Sequence, residues 1–150
     1  MCDPTTKLLT AMNNPASTEG HLPPREILVV DDDDAVRRGL RSVLVTEGYQ
    51  VIAVSHGREA IRAFREHPCD LVLLDMNMPL LNGWGTIAGL RSIKAAVPVI
   101  LITARPDQRS LAREAGVELM EKPLDLQFLL RRIGELVPRA DALTGAAIAG

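Results

Sequence analysis

The feature that most constrains this chain is a pair of short apolar runs that each stop at aspartate. Ile27-Leu-Val-Val30 runs into Asp31-Asp32-Asp33-Asp34, and Leu71-Val-Leu-Leu74 runs into Asp75. Neither run alternates polar with apolar residues, so neither fits a strand with one face in water. Uninterrupted apolar runs of this length fit strands buried on both faces, as in a parallel sheet covered by helices. Parallel strands cannot be joined by a tight turn, so amphipathic helices are expected between them.

The intervening segments supply those helices. Val36, Leu40, Val43 and Leu44 recur at helical spacing after the first run, and Gly48 ends that helix. Gln50–Val54 reads as the second strand, and Gly57–Glu66 as a helix with Ala60, Ile61 and Phe64 inward. Beyond Leu71–Leu74, Pro79 and Asn82-Gly83 mark a loop, and a third helix carries Ile87, Leu90 and Ile93. Pro98–Ile102 reads as the fourth strand, since proline is tolerated at a strand's first residue. A helix over Asp107–Ala115 is closed by Gly116, and Val117–Met120 reads as the fifth strand. The last helix, Asp125–Val137, is expected to bury Leu126, Leu129, Leu130 and Ile133, with Asp125 as its N-cap. Such alternation predicts an α/β fold, a doubly wound five-stranded parallel sheet with helices on both faces.

The 150 residues suffice for one domain with a real core. Residues 1–24 read as a flexible N-terminal arm, 25–138 as the folded domain and 139–150 as a fraying C-terminal tail. A net charge of -2 and 3% aromatic residues offer neither a basic face nor a stacking platform for nucleic acid. No apolar run reaches the ~18 residues of a membrane span. The first residues lack the pattern of a signal peptide, so a cytoplasmic protein is expected. Cys2 and Cys69 have no metal-ligand spacing and read as reduced thiols. His21, His56 and His67 show no pairing and are placed at the surface.

In an open parallel sheet, ligands bind beyond the carboxyl ends of the strands. There the first strand delivers Asp31 to Asp34, the third Asp75, the fourth Thr103 and the fifth, through Glu121, Lys122-Pro123. Clustered carboxylates repel one another, and a hard divalent cation such as Mg²⁺ relieves the repulsion. A carboxylate can also accept a phosphoryl group, forming an aspartyl phosphate. Stabilising that group is mostly positioning plus positive charge, which Lys122 would supply while Thr103 donates a hydrogen bond. Asp33 and Asp34 suit the first turn of a helix, where the dipole favours carboxylates.

The set Val30-Asp31-Asp32, Leu74-Asp75-Met-Asn-Met-Pro79, Asn82-Gly83, Thr103-Ala104 and Lys122-Pro123 resembles the receiver domains of two-component response regulators. The resemblance covers roughly residues 25–138 and implies a flavodoxin-like (βα)5 sheet in the order 2-1-3-4-5. It implies that Asp75 is the phosphoacceptor, that Asp31 and Asp32 hold Mg²⁺, and that Asn77 offers its backbone carbonyl to the metal. It further implies that Thr103 bonds the phosphoryl oxygens, that Lys122 pairs with the acceptor, and that the Lys122-Pro123 peptide is cis. Arg105 and Asn77 would tune the lifetime of the acyl phosphate. The expected function is a signalling switch loaded by a sensor histidine kinase or a phosphotransfer protein, with output through a protein contact. The face made by the fourth helix, fifth strand and fifth helix would serve a downstream protein or a homodimer. No output module is expected after Val137, which points to a stand-alone receiver without direct nucleic-acid or membrane contact.

Leu119 stands where such domains often carry an aromatic switch residue, Leu124 where Phe is common, and Asn82 where Asp is usual. The first departure leaves open a degenerate receiver that only binds proteins. A hydrolase of the haloacid-dehalogenase kind would need a second acid at Asn77 and a cap over the site.

Overall fold

The computed structural model describes residues 24–76 and 83–137. The expected arm and tail, and the roles given to Asn77, Pro79 and Asn82, lie outside the described residues. Strands β1 (Glu26–Val30), β2 (Gln50–Val54), β3 (Leu71–Asp75), β4 (Val99–Thr103) and β5 (Glu118–Glu121) form one parallel sheet in the order β2-β1-β3-β4-β5. Helices α1 (Asp34–Thr46), α2 (Gly57–Glu66), α3 (Gly83–Ile93), α4 (Arg109–Ala115) and α5 (Leu126–Leu136) connect or follow them. The fold class and strand order expected from the resemblance are those observed.

The sheet divides the core into two layers, because side chains alternate between its faces. Leu28, Val30, Val72, Leu74, Val99 and Leu101 pack with Ala60 and Phe64 of α2, Ile87 and Leu90 of α3 and Ala112 of α4. Ile27, Val29, Leu71, Leu73, Ile100 and Ile102 pack with Leu40 and Leu44 of α1 and Leu129 and Ile133 of α5. Strands β1, β3 and β4 are therefore apolar on both sides, which is why their sequences do not alternate.

Local signals set the boundaries. Asp33 is the N-cap of α1, accepting from the N–H groups of Ala35 and Val36. Asp125 caps α5 by accepting from Phe128 N–H. Gly48 at φ 100 and Gly116 at φ 70 take the left-handed backbone that lets the chain leave α1 and α4.

Several expectations need correction. Val36 and Leu126, expected inward, are 38% and 41% exposed, because each lies on the first turn of its helix before the helix meets the sheet. The segment expected as one helix over Asp107–Ala115 splits into a 3-10 turn, Pro106–Gln108, and α4. Strand β4 starts at Val99, although the Pro98 carbonyl still accepts from Val72 N–H. Strands β3, β4 and β5 each run one residue further than expected, because Asp75 pairs with Ile102 and Thr103 with Glu121. Gly83 is not a turn residue but the first residue of α3, buried against the Met76 side chain. His67 is at the surface as expected, but its Nε2 lies 2.7 Å from the Glu26 carboxylate, and the half-buried His56 lies 3.8 Å from Glu59. Cys69 is free and buried, and burial pushes its thiol up to about 12.

The register of α5 gives a direct test. Replacing buried Leu129 by Ala should cost about 2–5 kcal/mol. The same change at exposed Leu126 should cost no more than about 0.5 kcal/mol. Urea denaturation of both variants reads the difference, and equal losses would contradict the register.

Candidate functional site

The site lies where β1, β3, β4 and β5 end. Parallel pairing aligns Val30 with Leu74, so the next residues, Asp31 and Asp75, stand side by side at the carboxyl edge of the sheet. One carboxylate oxygen from each of Asp31, Asp32 and Asp75 can be chosen so that all lie within 4.8 Å of one another. Asp31 and Asp75 are buried, while Asp32 is exposed.

Asp31 is oriented by the bend that leads into α1. Asp31 Oδ1 accepts from Asp33 N–H at 2.9 Å, and Asp31 N–H donates to the Val54 carbonyl at 3.2 Å. Arg37, one turn into α1, donates from Nη1 to the Asp31 carbonyl at 2.8 Å and from Nη2 to Asp34 at 2.5 Å. The bend carrying Asp31 and Asp32 is thus tied to the helix that follows. Burial first, and the nearby Asp75 and Asp32 charges, hold the Asp31 carboxyl above the usual carboxylate range, against the Asp33 N–H and Lys122.

Lys122 reaches in from the end of β5. Its Nζ lies 3.4 Å from Asp75 Oδ1, and the Lys122-Pro123 peptide is cis as expected. The backbone is clamped here, since Lys122 N–H donates to the Thr103 carbonyl at 2.8 Å. Thr103 is fully buried, and its Oγ1 accepts from Arg105 N–H at 2.9 Å, which leaves the hydroxyl proton for donation. The Arg105 side chain turns away to Asp107 at 3.0 Å and draws the Asp107 carboxyl below its usual range.

The structure therefore brings Asp31, Asp32, Asp75 and Lys122 together, with Thr103 at the adjoining strand end; Asn77 lies outside the described residues. Three carboxylates and one lysine can hold a hard divalent cation and a group rich in anionic oxygens. Sequence reasoning missed Arg37 and the pair formed by Trp84 and Gln108, whose Nε1 and Oε1 lie 2.9 Å apart. Arg37 falls one helical turn after the acids, a spacing that could have flagged it; nothing in the sequence links residues as distant as Trp84 and Gln108. A hollow of 470 Å³ lined by Glu26, Gln50, His67 and Asp70 lies at the opposite, amino end of the sheet, away from these groups.

The sequence profile described as the response regulator receiver domain matches residues 27–134. The transcriptional regulatory protein KdpE of Mycobacterium tuberculosis is 40% identical over 119 residues, covering 77% of this chain and 52% of that protein. The chain spans about half the length of the curated relatives it matches. Among solved structures, a response regulator receiver domain protein from Clostridium thermocellum is 30% identical with a TM-score of 0.70, covering 75% of this chain and 94% of that one. The receiver domain of a sensor histidine kinase from Pseudomonas aeruginosa, with a magnesium ion coordinated in its active-site cleft, is 27% identical with a TM-score of 0.69. That match covers 76% of this chain and 98% of the other.

Crowded carboxylates imply a local conflict between stability and function. Asp31→Asn keeps an oxygen for the Asp33 N–H but removes a buried charge. In the presence of a chelator it should raise the thermal midpoint above that of the parent. Added Mg²⁺ should then raise the parent's midpoint more than the variant's. A variant less stable than the parent in chelator would contradict the repulsion.

Proposed function

This chain belongs to the response regulator receiver domain family, and we propose that it is a phosphorylation-controlled signalling switch with Asp75 as its phosphoacceptor. The observation that carries this reading is the placement of buried Asp75 between Lys122 and the carboxylates of Asp31 and Asp32. Among the described residues, Asp31, Asp32, Asp75 and Lys122 meet at one sheet edge, and packing alone gives no reason for them to do so.

The donor set suits Mg²⁺, being made of hard oxygens with excess negative charge. Asp31, Asp32 and Asp75 would hold the ion, with the Asn77 carbonyl as the further ligand implied by family resemblance. The magnesium in the similar Pseudomonas receiver domain supports this assignment. When bound, the ion neutralises carboxylate charge and offsets the charge of the incoming phosphoryl oxygens.

A sensor histidine kinase or phosphotransfer protein would present a phosphorylated imidazole. An Asp75 carboxylate oxygen forms the new P–O bond as the P–N bond breaks, and the imidazole keeps the electron pair. Lys122, already beside Asp75, meets the negative charge on the transferred group. Thr103 donates its free hydroxyl proton to a phosphoryl oxygen. Attack by water later releases inorganic phosphate and restores the Asp75 carboxylate.

The output would be a protein contact. On the face formed by α4, β5 and α5, Arg109 pairs with Glu121 at 2.6 Å and Arg132 with Glu118 at 2.8 Å. Leu111 and Phe128 are exposed there, and Arg131 sits over the Phe128 ring. Closed ion pairs around exposed apolar side chains suit a downstream protein or a second copy of the chain better than a strongly charged ligand.

Incubation with Mg²⁺ and acetyl phosphate should add one phosphoryl group by intact mass, and Asp75→Asn should add none. Lys122→Ala should slow loading by at least about tenfold, equivalent to about 1.4 kcal/mol of transition-state stabilisation. Substitution of Arg105 should change the rate of phosphoryl loss more than the rate of gain. A parent protein that gains no mass would leave only a binding module, and continuous turnover of the donor would indicate a hydrolase.

A further inference from the structure

Leu119 has no ring to rotate and no polar tip, so it cannot report on Thr103 through a hydrogen bond. A different aromatic residue is bonded to the Thr103 turn. Thr103 Oγ1 accepts from Arg105 N–H at 2.9 Å, and the Arg105 carbonyl accepts from Gln108 N–H at 3.4 Å. Gln108 Oε1 in turn accepts from Trp84 Nε1–H at 2.9 Å. Trp84 lies in the first turn of α3, next to Gly83, whose backbone abuts the side chain of Met76, the residue after Asp75. The start of α3 is therefore held on one side by the end of β3 and on the other by the turn after β4.

We propose that Gln108 is a positioning residue for Thr103 and that its bond to Trp84 is the contact through which loading of Asp75 reaches α3. The proposal rests on the reading of Asp75 as phosphoacceptor.

Geometry sets the direction of the coupling. The Thr103 carbonyl is clamped by Lys122 N–H at 2.8 Å, so the hydroxyl is the part free to turn. When it turns to donate to a phosphoryl oxygen, Oγ1 moves relative to Arg105 N–H. The turn is short and closed by Gln108 N–H on the Arg105 carbonyl at 3.4 Å, so displacement of Arg105 takes Gln108 with it. Strand alternation puts Thr103 in line with Val99 and Leu101, on the sheet face where Trp84 and Ile87 of α3 pack. Displacement of Gln108 then acts on Trp84 inside the same layer.

Trp84 is the only tryptophan, so the chain has one indole N–H resonance. The test uses the full chain with ¹⁵N-labelled tryptophan, Mg²⁺ and beryllofluoride as the phosphoryl mimic, and ¹⁹F spectra to show whether the adduct forms. In the parent, the indole resonance should shift when the adduct forms. Thr103→Val should bind beryllofluoride more weakly, but once the concentration is raised until ¹⁹F spectra show the adduct, the indole should stay in place. In Gln108→Leu the resonance should be displaced beforehand and indifferent to loading, whereas Gln108→Glu, which keeps an acceptor, should restore the response. A purely structural Gln108 would displace the resonance without making its response depend on Thr103. A parent adduct with a stationary indole, or an equal shift in Thr103→Val, overturns the coupling while leaving the Asp75 reading intact. Absence of any parent adduct overturns both.

Discussion

Parallel pairing of β1 with β3 is the constraint on which the rest of the structure depends. The register Val30↔Leu74 fixes where the two apolar runs stop relative to each other, and so places Asp31 beside Asp75. A slip of one residue would turn every side chain of one strand to the opposite layer. Both layers are fully apolar along these strands, so the hydrophobic pattern alone does not forbid a slip; the carboxylates and polar ends do. Register at the centre of the sheet and the existence of the acid cluster are in this sense one fact. The cluster opposes folding by its own repulsion, and it persists because the buried strands beneath it resist rearrangement.

Much of this was legible beforehand because two signals coincide. Apolar runs without alternation announce buried strands, and the polar residues that end them mark the functional edge. The helix and sheet boundaries that failed did so for local reasons. Pro106 to Gln108 contains a proline and an acidic residue that suit either a helix start or a tight turn, and the bond from Gln108 N–H to the Arg105 carbonyl closes it as a turn. Leu126 fits the apolar stripe of α5 by spacing, but the stripe meets the sheet only from Leu129 onward. Gly83 was legible as a special position for the wrong reason: the requirement is close approach to Met76, not a left-handed backbone.

Within the site, residues carried by their own strand end were found, whereas those acting across the chain were not. Arg37 stands one turn after the acids, a spacing that suits its bond to Asp34, but its bond to the Asp31 carbonyl uses a partner common to every residue and leaves no mark in the sequence. Trp84 and Gln108 meet only because α3 and the turn after β4 lie side by side.

The two-layer core has a consequence for how this domain tolerates change. The layers touch through the sheet backbone and not through interdigitated side chains, so a cavity opened near Phe64 has no direct neighbour among Leu40, Leu129 and Ile133. Energetic effects of substitutions on opposite faces should combine nearly additively, while those within a face should not. The sheet thus works as a firewall. The α1–α5 side and the α2–α4 side are free to drift separately in sequence, and only the residues at the carboxyl edge bind both histories together.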